Sequence, residues 1–203
     1  LPDYRGANPY SHVIINGEEE SAITLHFMDE NFDTGDIISQ YRFNLDLNET
    51  MGTLFYRTNQ MCASMLYEAL DYYETHDFPR KPQPKDGEYK KAEALSFEKK
   101  NIFIDWNKSA EEIERFIRGL NPYIGAITCY NGTVLRINSA YVIEKNHNFT
   151  PGTICDTKNS LKVACGEDIL EIDSIQYGAF FISSGRDFVE RLNPKKGEIL
   201  YSE

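Results

Sequence analysis

The stretch 22–43, AITLHFMDENFDTGDIISQYRF, runs from one strand-like segment through an acidic bend into another. Ala22 to Met28 is a short apolar run, Asp29-Glu-Asn31 ends it, and Ile37 to Phe43 resumes strand character. Between them Asp33-Thr-Gly-Asp36 must turn tightly, so two strands flank a loop crowded with carboxylates. Two readings of the bend stand side by side. Gly35 can take φ > 0 and let a ligand approach the backbone, and a carboxylate at the C-terminal end of a strand in an α/β sheet stands where ligands bind. An acidic surface turn would use the same residues only for their turn-forming geometry.

Upstream of this stretch, Ser11 to Asn16 is apolar and β-branched, and Gly17-Glu-Glu-Glu20 makes a polar turn. Downstream, Thr50 to about Thr75 carries one long helical pattern, with Leu54, Met61, Met65, Leu66 and Leu70 near one face as a cover for a sheet. Residues 78–92, FPRKPQPKDGEYKKA, hold three prolines and five basic residues without periodicity and read as a linker. Ser109-Ala-Glu-Glu112 has the form of a capping box, followed by Ile113, Phe116, Ile117 and Leu120 at helical spacing, with a stop at Asn121-Pro122. Short β-rich runs then follow: Ala126 to Tyr130, Thr133 to Ile137, Ala140 to Glu144, Gly152 to Cys155, Leu161 to Cys165 and Ile169 to Ile172. Such closely spaced strands suggest a small barrel, of which the five-stranded oligonucleotide-binding (OB) type is one candidate.

The net charge of −11 is uneven: residues 1–96 hold 8 Lys/Arg against 17 Asp/Glu, and residues 97–203 hold 13 against 15. A protein whose main partner is a polyanion usually presents a net basic face, and this sequence does not supply an obvious one. No apolar run approaches the roughly 20 residues that cross a bilayer, and no signal peptide opens the chain, so no membrane partner and a cytoplasmic setting are expected. The first residue is Leu rather than Met, and translation is expected to start upstream. Cys62, Cys129, Cys155 and Cys165 show no zinc-like spacing with His12, His26, His76 or His147, and they read as buried free thiols with no metal. The Asn-x-Ser/Thr triplets at Asn48, Asn107, Asn131 and Asn148 read as chance in the absence of a secretory signal.

In the order LP-x-YRG (residues 1–6), NGE (16–18), T-x-H-x-M (24–28) and D-x-GDI (33–37), the first part of the chain resembles the core of the folate-dependent formyltransferases. IDWNKSAEEIERFIRGLNPYIGA, PGTI, LKVACGEDILEI, SGRDF and GEIL resemble the C-terminal domain of methionyl-tRNA formyltransferases, so the likeness covers essentially the whole chain. It implies an α/β fold: the C-terminal portion of a Rossmann-like catalytic domain over 1–77, a linker over 78–96, and an OB-like β-barrel domain over 97–203. It also implies an attack by a primary amine on the formyl carbon of 10-formyltetrahydrofolate through a tetrahedral oxyanion. Family members stabilise that oxyanion with an Asn-x-His pair, and a downstream Asp holds the His and assists proton transfer.

Asp33 matches this catalytic aspartate, while the Asn-x-His pair belongs shortly upstream of Leu1 and is absent, so this stretch alone is expected to be catalytically incomplete. Leu1, Pro2, Asp29, Glu30, Asn31, Phe32, Thr34, Gly35 and Asp36 match the folate-contacting segments. Arg5 and Gly6 complete LP-x-YRG, with Arg5 either ordering the loop or facing the substrate. His26 is either a satisfied core residue or a neighbour of the site. The resemblance leaves the acceptor open between the amino group of methionyl-tRNA, favoured by the C-terminal match, and a nucleotide-linked amino sugar. Glycinamide ribonucleotide or another small amine is a third choice, and GANPY and TLHFM resemble the enzymes of these smaller acceptors. The non-enzyme alternative is a folate- or RNA-binding module, with Tyr123, Tyr130, Tyr141, Arg136 and Lys145 in a basic, aromatic groove or simply spread over core and rim. Oligomeric state is not legible.

Overall fold

A computed structural model describes residues 1–84, 88–178 and 181–201. Residues 85–87 of the expected linker, and 179–180 and 202–203 of the expected C-terminal domain, lie outside the described residues. The chain divides into two compact units, 1–95 and 96–203.

In the first unit a two-residue strand β1 (Arg5–Gly6) leads into helix α1 (Pro9–Ile15). The β-branched run Ser11 to Asn16 carries no helical preference of its own. Pro9 at the start supplies a preset φ, and Val13 and Ile14 bury against Leu54, with Tyr4, Tyr10, Phe43, Leu45 and Met51 around them. Packing, not propensity, makes this short helix.

Strands β2 (Glu20–His26) and β3 (Ile37–Asn44) pair antiparallel from Glu20 opposite Asn44 to His26 opposite Ile37, with a register shift between Leu25 and His26. Such a shift bends a strand and re-aims its side chains, and here it lies at the mouth of the acidic bend. Helix α2 (Met51–Tyr73) starts at a capping box built by Thr50 and Thr53. Its expected apolar face is only partly covered. Leu54 is buried together with Thr58 and Ala69, but Leu66 and Leu70 are 48% and 56% exposed.

The stretch expected as a linker is tied into this unit. Lys81 makes a two-way backbone bridge with Ile37, Gln83 is buried, and β4 (Lys91–Ala92) pairs parallel with β1. It lacks periodicity because it is a strap attached at single residues, not because it is free. Gly6 lies so close to this strap that a Cβ there would stand 2.2 Å from the Ala92 carbonyl oxygen, at a φ of +135°.

The second unit opens with α3 (Lys99–Ile102) and α4 (Ala110–Leu120). Ser109 and Glu112 form the anticipated capping box, the helix stops before Asn121, and Ile113, Ile117 and Leu120 are buried on one face. The strands are β5 (Ala126–Tyr130), β6 (Thr133–Ile143), β7 (Ile154–Asp156), β8 (Leu161–Ala164), β9 (Ile169–Tyr177) and β10 (Phe181–Ser184). They form one antiparallel sheet in the order β5-β6-β9-β8-β7, with β10 also on β9.

The two runs expected at 133–137 and 140–144 are a single strand interrupted by irregular register near Ser139. That irregularity moves the inward set from Leu135 and Ile137 to Ala140, and β9 shifts likewise from Ile172 to Ile175. A one-residue offset of this kind lets a strand change the face it buries and curl the sheet.

The C-terminal segment joins the two edges of the curled sheet. Tyr201 pairs with Cys129 of β5, Leu200 N donates to Gly152 O at 2.8 Å, and Ile154 N of β7 donates to Glu198 O at 2.7 Å. Helix α5 (Gly185–Leu192), which the sequence reading did not anticipate, is capped by Ser184 and buries Phe188 against the rings of Tyr130 and Tyr177. Trp106 is buried and donates through Nε1 to Thr128 Oγ1 at 3.1 Å.

Of the cysteines, Cys155 and Cys165 are buried as expected, and burial pushes the Cys165 thiol up to about 12. Cys62 is exposed and Cys129 half-buried, which corrects the reading of all four as core thiols. Cys62 is exposed because it lines an open cavity of the first unit and not the core. Among the described residues no helix is long and apolar enough to cross a membrane.

Candidate active site

The bend between β2 and β3 is held from inside and from outside. Inside, Phe27 N donates to Asp36 O at 2.9 Å and closes the end of the hairpin. Asp29 accepts from Asn31 N at 3.0 Å and from Thr34 Oγ1 at 2.7 Å, and these hydrogen bonds, Thr34 foremost, hold its carboxyl below the ordinary aspartate value. Asp29 therefore shapes the loop, while Phe32 at its tip is 93% exposed and Glu30 and Asn31 also face outward.

Gly35 has no room for a side chain, since a Cβ would lie 1.8 Å from Phe27 O. Backbone cannot yield by such an amount without opening the hairpin end. Gly35→Ala is therefore expected to break the Phe27 to Asp36 hydrogen bond and speed exchange of the Phe27 amide at least about tenfold, as measured by hydrogen exchange.

Asp33 stands at a φ of 58°, in the left-handed region that Asp and Asn tolerate better than most residues. Its Oδ2 accepts from Gly6 N at 3.2 Å, and its Oδ1 lies 3.8 Å from His26 Nε2. His26 Nδ1 is 2.8 Å from Phe27 O. A carbonyl oxygen only accepts, so Nδ1 carries a proton and Nε2 is the ring nitrogen turned to Asp33. His26 is thus half-buried at the rim of the bend and is not a core residue; the shift at the end of β2 turns it there.

Leu1, Gly6, His26 and Asp33 share the wall of a cavity of about 570 Å³ in the first unit. The Leu1 carbonyl is fixed by Gln40 Nε2 of β3 at 2.7 Å, and Pro2 lines the same cavity. The sequence-selected residues Leu1, Pro2, Gly6, His26 and Asp33 therefore meet in one place. Asp36 is turned away toward Arg80, whose Nη1 lies 3.6 Å from its carboxylate and whose guanidinium stacks 3.8 Å over the Phe27 ring.

Arg5 donates from Nη2 to Gln83 Oε1 at 2.7 Å. This contact supports its loop-ordering alternative. Gln83 was not singled out from the sequence; a lone Gln between two prolines in an aperiodic stretch carries no signal beyond its flanking residues.

Elsewhere in the cavity lining, Tyr4 and Lys90 both donate to Glu18 Oε1. Burial pushes the Glu18 carboxyl up, but the hydrogen bonds from Lys90 and Tyr4 outweigh it and leave it below the ordinary glutamate value, while burial and the Glu18 contact raise Tyr4. A depressed folded-state carboxyl contributes stability that is present at neutral pH and lost as pH falls through its folded value. Urea unfolding of the wild type and Glu18→Gln should accordingly differ at neutral pH, and the gap should shrink only once the pH has fallen below the ordinary glutamate value.

The nucleic-acid groove expected in the second unit does not assemble from these five side chains. Tyr130 is buried, with its hydroxyl on Glu198 at 2.6 Å, and burial followed by that hydrogen bond pushes it up to about 12. Arg136 donates to Pro122 O. Tyr123, Tyr141 and Lys145 are exposed. Tyr130 belongs to the core because it faces Phe188 of α5, a helix the sequence reading lacked. Among the described residues no three His, Cys, Asp or Glu side chains converge as metal ligands.

Comparison with known proteins bears on this arrangement. The family model "Formyl transferase" matches residues 1–70, and "Formyl transferase, C-terminal domain" matches residues 97–193. Methionyl-tRNA formyltransferase of Clostridioides difficile (strain 630) is 38% identical over 177 residues, covering 87% of this chain and 56% of that protein. The corresponding protein of Clostridium tetani (strain Massachusetts / E88) is 35% identical over 202 residues, covering 98% and 64%. The chain thus spans about three fifths of these curated relatives.

In fold it is similar to HypX from Aquifex aeolicus in complex with tetrahydrofolic acid, with a TM-score of 0.69 at 17% identity over 96% of this chain and 34% of that one. It is also similar to the N-formyltransferase from Helicobacter canadensis in complex with folinic acid and dTDP-3-aminofucose, with a TM-score of 0.65 at 21% identity over 85% and 62%. With the two family models matching both units in order, around an aspartate set in the bend the motifs predicted, the chain belongs to the formyl transferase family.

Proposed function

We propose that the protein of which this chain is part transfers a formyl group from 10-formyltetrahydrofolate to a primary amine. The observation that carries the proposal is Asp33 at the rim of the cavity, its carboxylate held by the Gly6 amide and facing His26. In this reaction the amine lone pair attacks the formyl carbon, the C–O π electrons move to oxygen, and the tetrahedral oxyanion then expels N10 of the folate. The amine loses a proton and N10 gains one, leaving an N-formyl product and tetrahydrofolate.

The chain's own part is to fix a carboxylate where it can orient an imidazolium and take part in that proton transfer. His26 Nε2 faces Asp33, which makes it a second group able to relay the proton. In this reading Leu1, Pro2 and the backbone of residues 29–36 contact the folate, residues 1–77 complete a catalytic domain, and 97–203 are its accessory domain. It places the protein in the cytoplasm, where folate and amine acceptor meet.

Methionyl-tRNA is the acceptor we favour, because the curated relatives at 35–38% identity are methionyl-tRNA formyltransferases. A nucleotide-linked amino sugar is the second reading, favoured by the net charge of −11, which suits a small acceptor better than a polyanion. The test is to incubate the full-length protein with 10-formyltetrahydrofolate and either charged initiator tRNA or an amino-sugar nucleotide, and to follow tetrahydrofolate release. Release with tRNA alone supports the first acceptor and release with the sugar alone the second. No release with either rejects both acceptors.

A further inference from the structure

Asp33 has a backbone as well as a carboxylate to hold in place, and a different residue grips each. The carboxylate is gripped by Gly6 N, in the strand that also contains Arg5. The backbone is gripped by Gln83: its Nε2 donates to Asp33 O at 3.0 Å and to Gly35 O at 2.7 Å, while its Oε1 accepts from Arg5 Nη2 at 2.7 Å.

The contacts close a ring, from Arg5 through Gln83 to the Asp33 main chain, and from the Asp33 side chain back to Gly6. Gln83 is 7% exposed, so these polar atoms have little recourse to water. Two residues earlier, Lys81 N donates to Ile37 O at 3.0 Å and Ile37 N to Lys81 O at 2.9 Å, which anchors the strap beside the bend. Pro82 and Pro84 flank the glutamine and restrict its backbone. Both protons of the side-chain amide go to carbonyls on either side of Thr34. A hydrocarbon of equal size would fill the space, but only a group with two donors and an acceptor satisfies all three partners.

We propose that Gln83 is a positioning residue for the reaction: it clamps the left-handed bend so that the Asp33 carboxylate stays at its place beside His26, and Arg5 orients the clamp. The proposal rests on the reading of Asp33 as the catalytic carboxylate. Gln83→Glu isolates the clamp, because it keeps the size of the side chain and an acceptor for Arg5 but places a carboxylate oxygen against two carbonyl oxygens.

In the full-length protein Gln83→Glu is expected to lower kcat about 10- to 100-fold, the scale of a displacement of about 1 Å in a reacting group. KM for 10-formyltetrahydrofolate should change by a smaller factor than kcat, since Gln83 holds the bend whose backbone contacts the donor and does not itself touch the donor. In parallel, hydrogen exchange on the same variant reads the clamp without activity. The Gly6 and Phe27 amides should exchange at least about tenfold faster, while those of α2 remain as in the wild type.

An unchanged kcat, or equal loss of kcat and α2 protection as the unit unfolds, would overturn the proposal. If the wild type itself transfers no formyl group, the functional reading fails and exchange alone decides. Unchanged Gly6 and Phe27 amides would then reject the clamp, and their selective loosening would retain it.

Discussion

Asp33→Asn in the full-length protein is expected to cut the turnover of formyl transfer by about 10²- to 10⁴-fold, the usual worth of a general acid or base. Affinity for tetrahydrofolate should stay within about threefold of the wild type. The substitution is chosen because asparagine tolerates the left-handed region as aspartate does, so the φ of 58° can persist. Its side-chain oxygen can still accept from Gly6 N, which the carboxylate does at 3.2 Å. What disappears is the negative charge facing His26 Nε2. Steady-state kinetics together with folate titration separate the outcomes. Equal loss of turnover and affinity would reassign Asp33 to donor binding, and no loss would remove it from the chemistry.

Phe188→Ala carries the largest expected effect on stability. Phe188 is fully buried, with the rings of Tyr130 and Tyr177 at 6.1 and 5.9 Å, and it is the large buried side chain of α5. Truncation removes its transfer free energy and leaves a cavity, together costing about 3–5 kcal/mol. Thermal unfolding of the chain should show the transition of the second unit lowered by roughly 10 °C or more. Phe181→Ala, at a 64% exposed position on β10, should stay within about 0.5 kcal/mol. A cost below about 1 kcal/mol for Phe188→Ala would mean that α5 does not depend on this contact.

The two predictions sit at opposite ends of what the amino-acid order discloses. Asp33 was legible because a turn needs small, polar or glycine residues within a few positions, and because ordered motifs surround it. Phe188 was not, since an eight-residue helix holds only two turns of periodicity. In retrospect, Ser184 three residues before Asp187, with Phe188 and Leu192 behind it, is the cap and apolar spacing that marks it. His26 was ambiguous for a different reason. Its position in an apolar run suggested the core, but the register shift between Leu25 and His26 turns it to the rim, and the pairing of β2 with β3 is what produces that shift.

By itself, the sequence determined the strand, bend and strand of residues 22–43, the capping box at Ser109 and Glu112, the buried stripe of α4 and the family. Each of these is written in residues close together in the chain, where hydrogen bonds and side-chain periodicity act over a few positions. Only the tertiary structure decided that the β-branched run beginning at Ser11 lies in a helix, Pro9–Ile15, and that the segment 198–201 joins the two edges of the curled sheet. Only it decided that Gln83 reaches back fifty positions to the bend of Asp33. Those features depend on burial and on hydrogen-bond partners brought together by the fold, and a contact between distant residues leaves no period or motif along the chain to announce it.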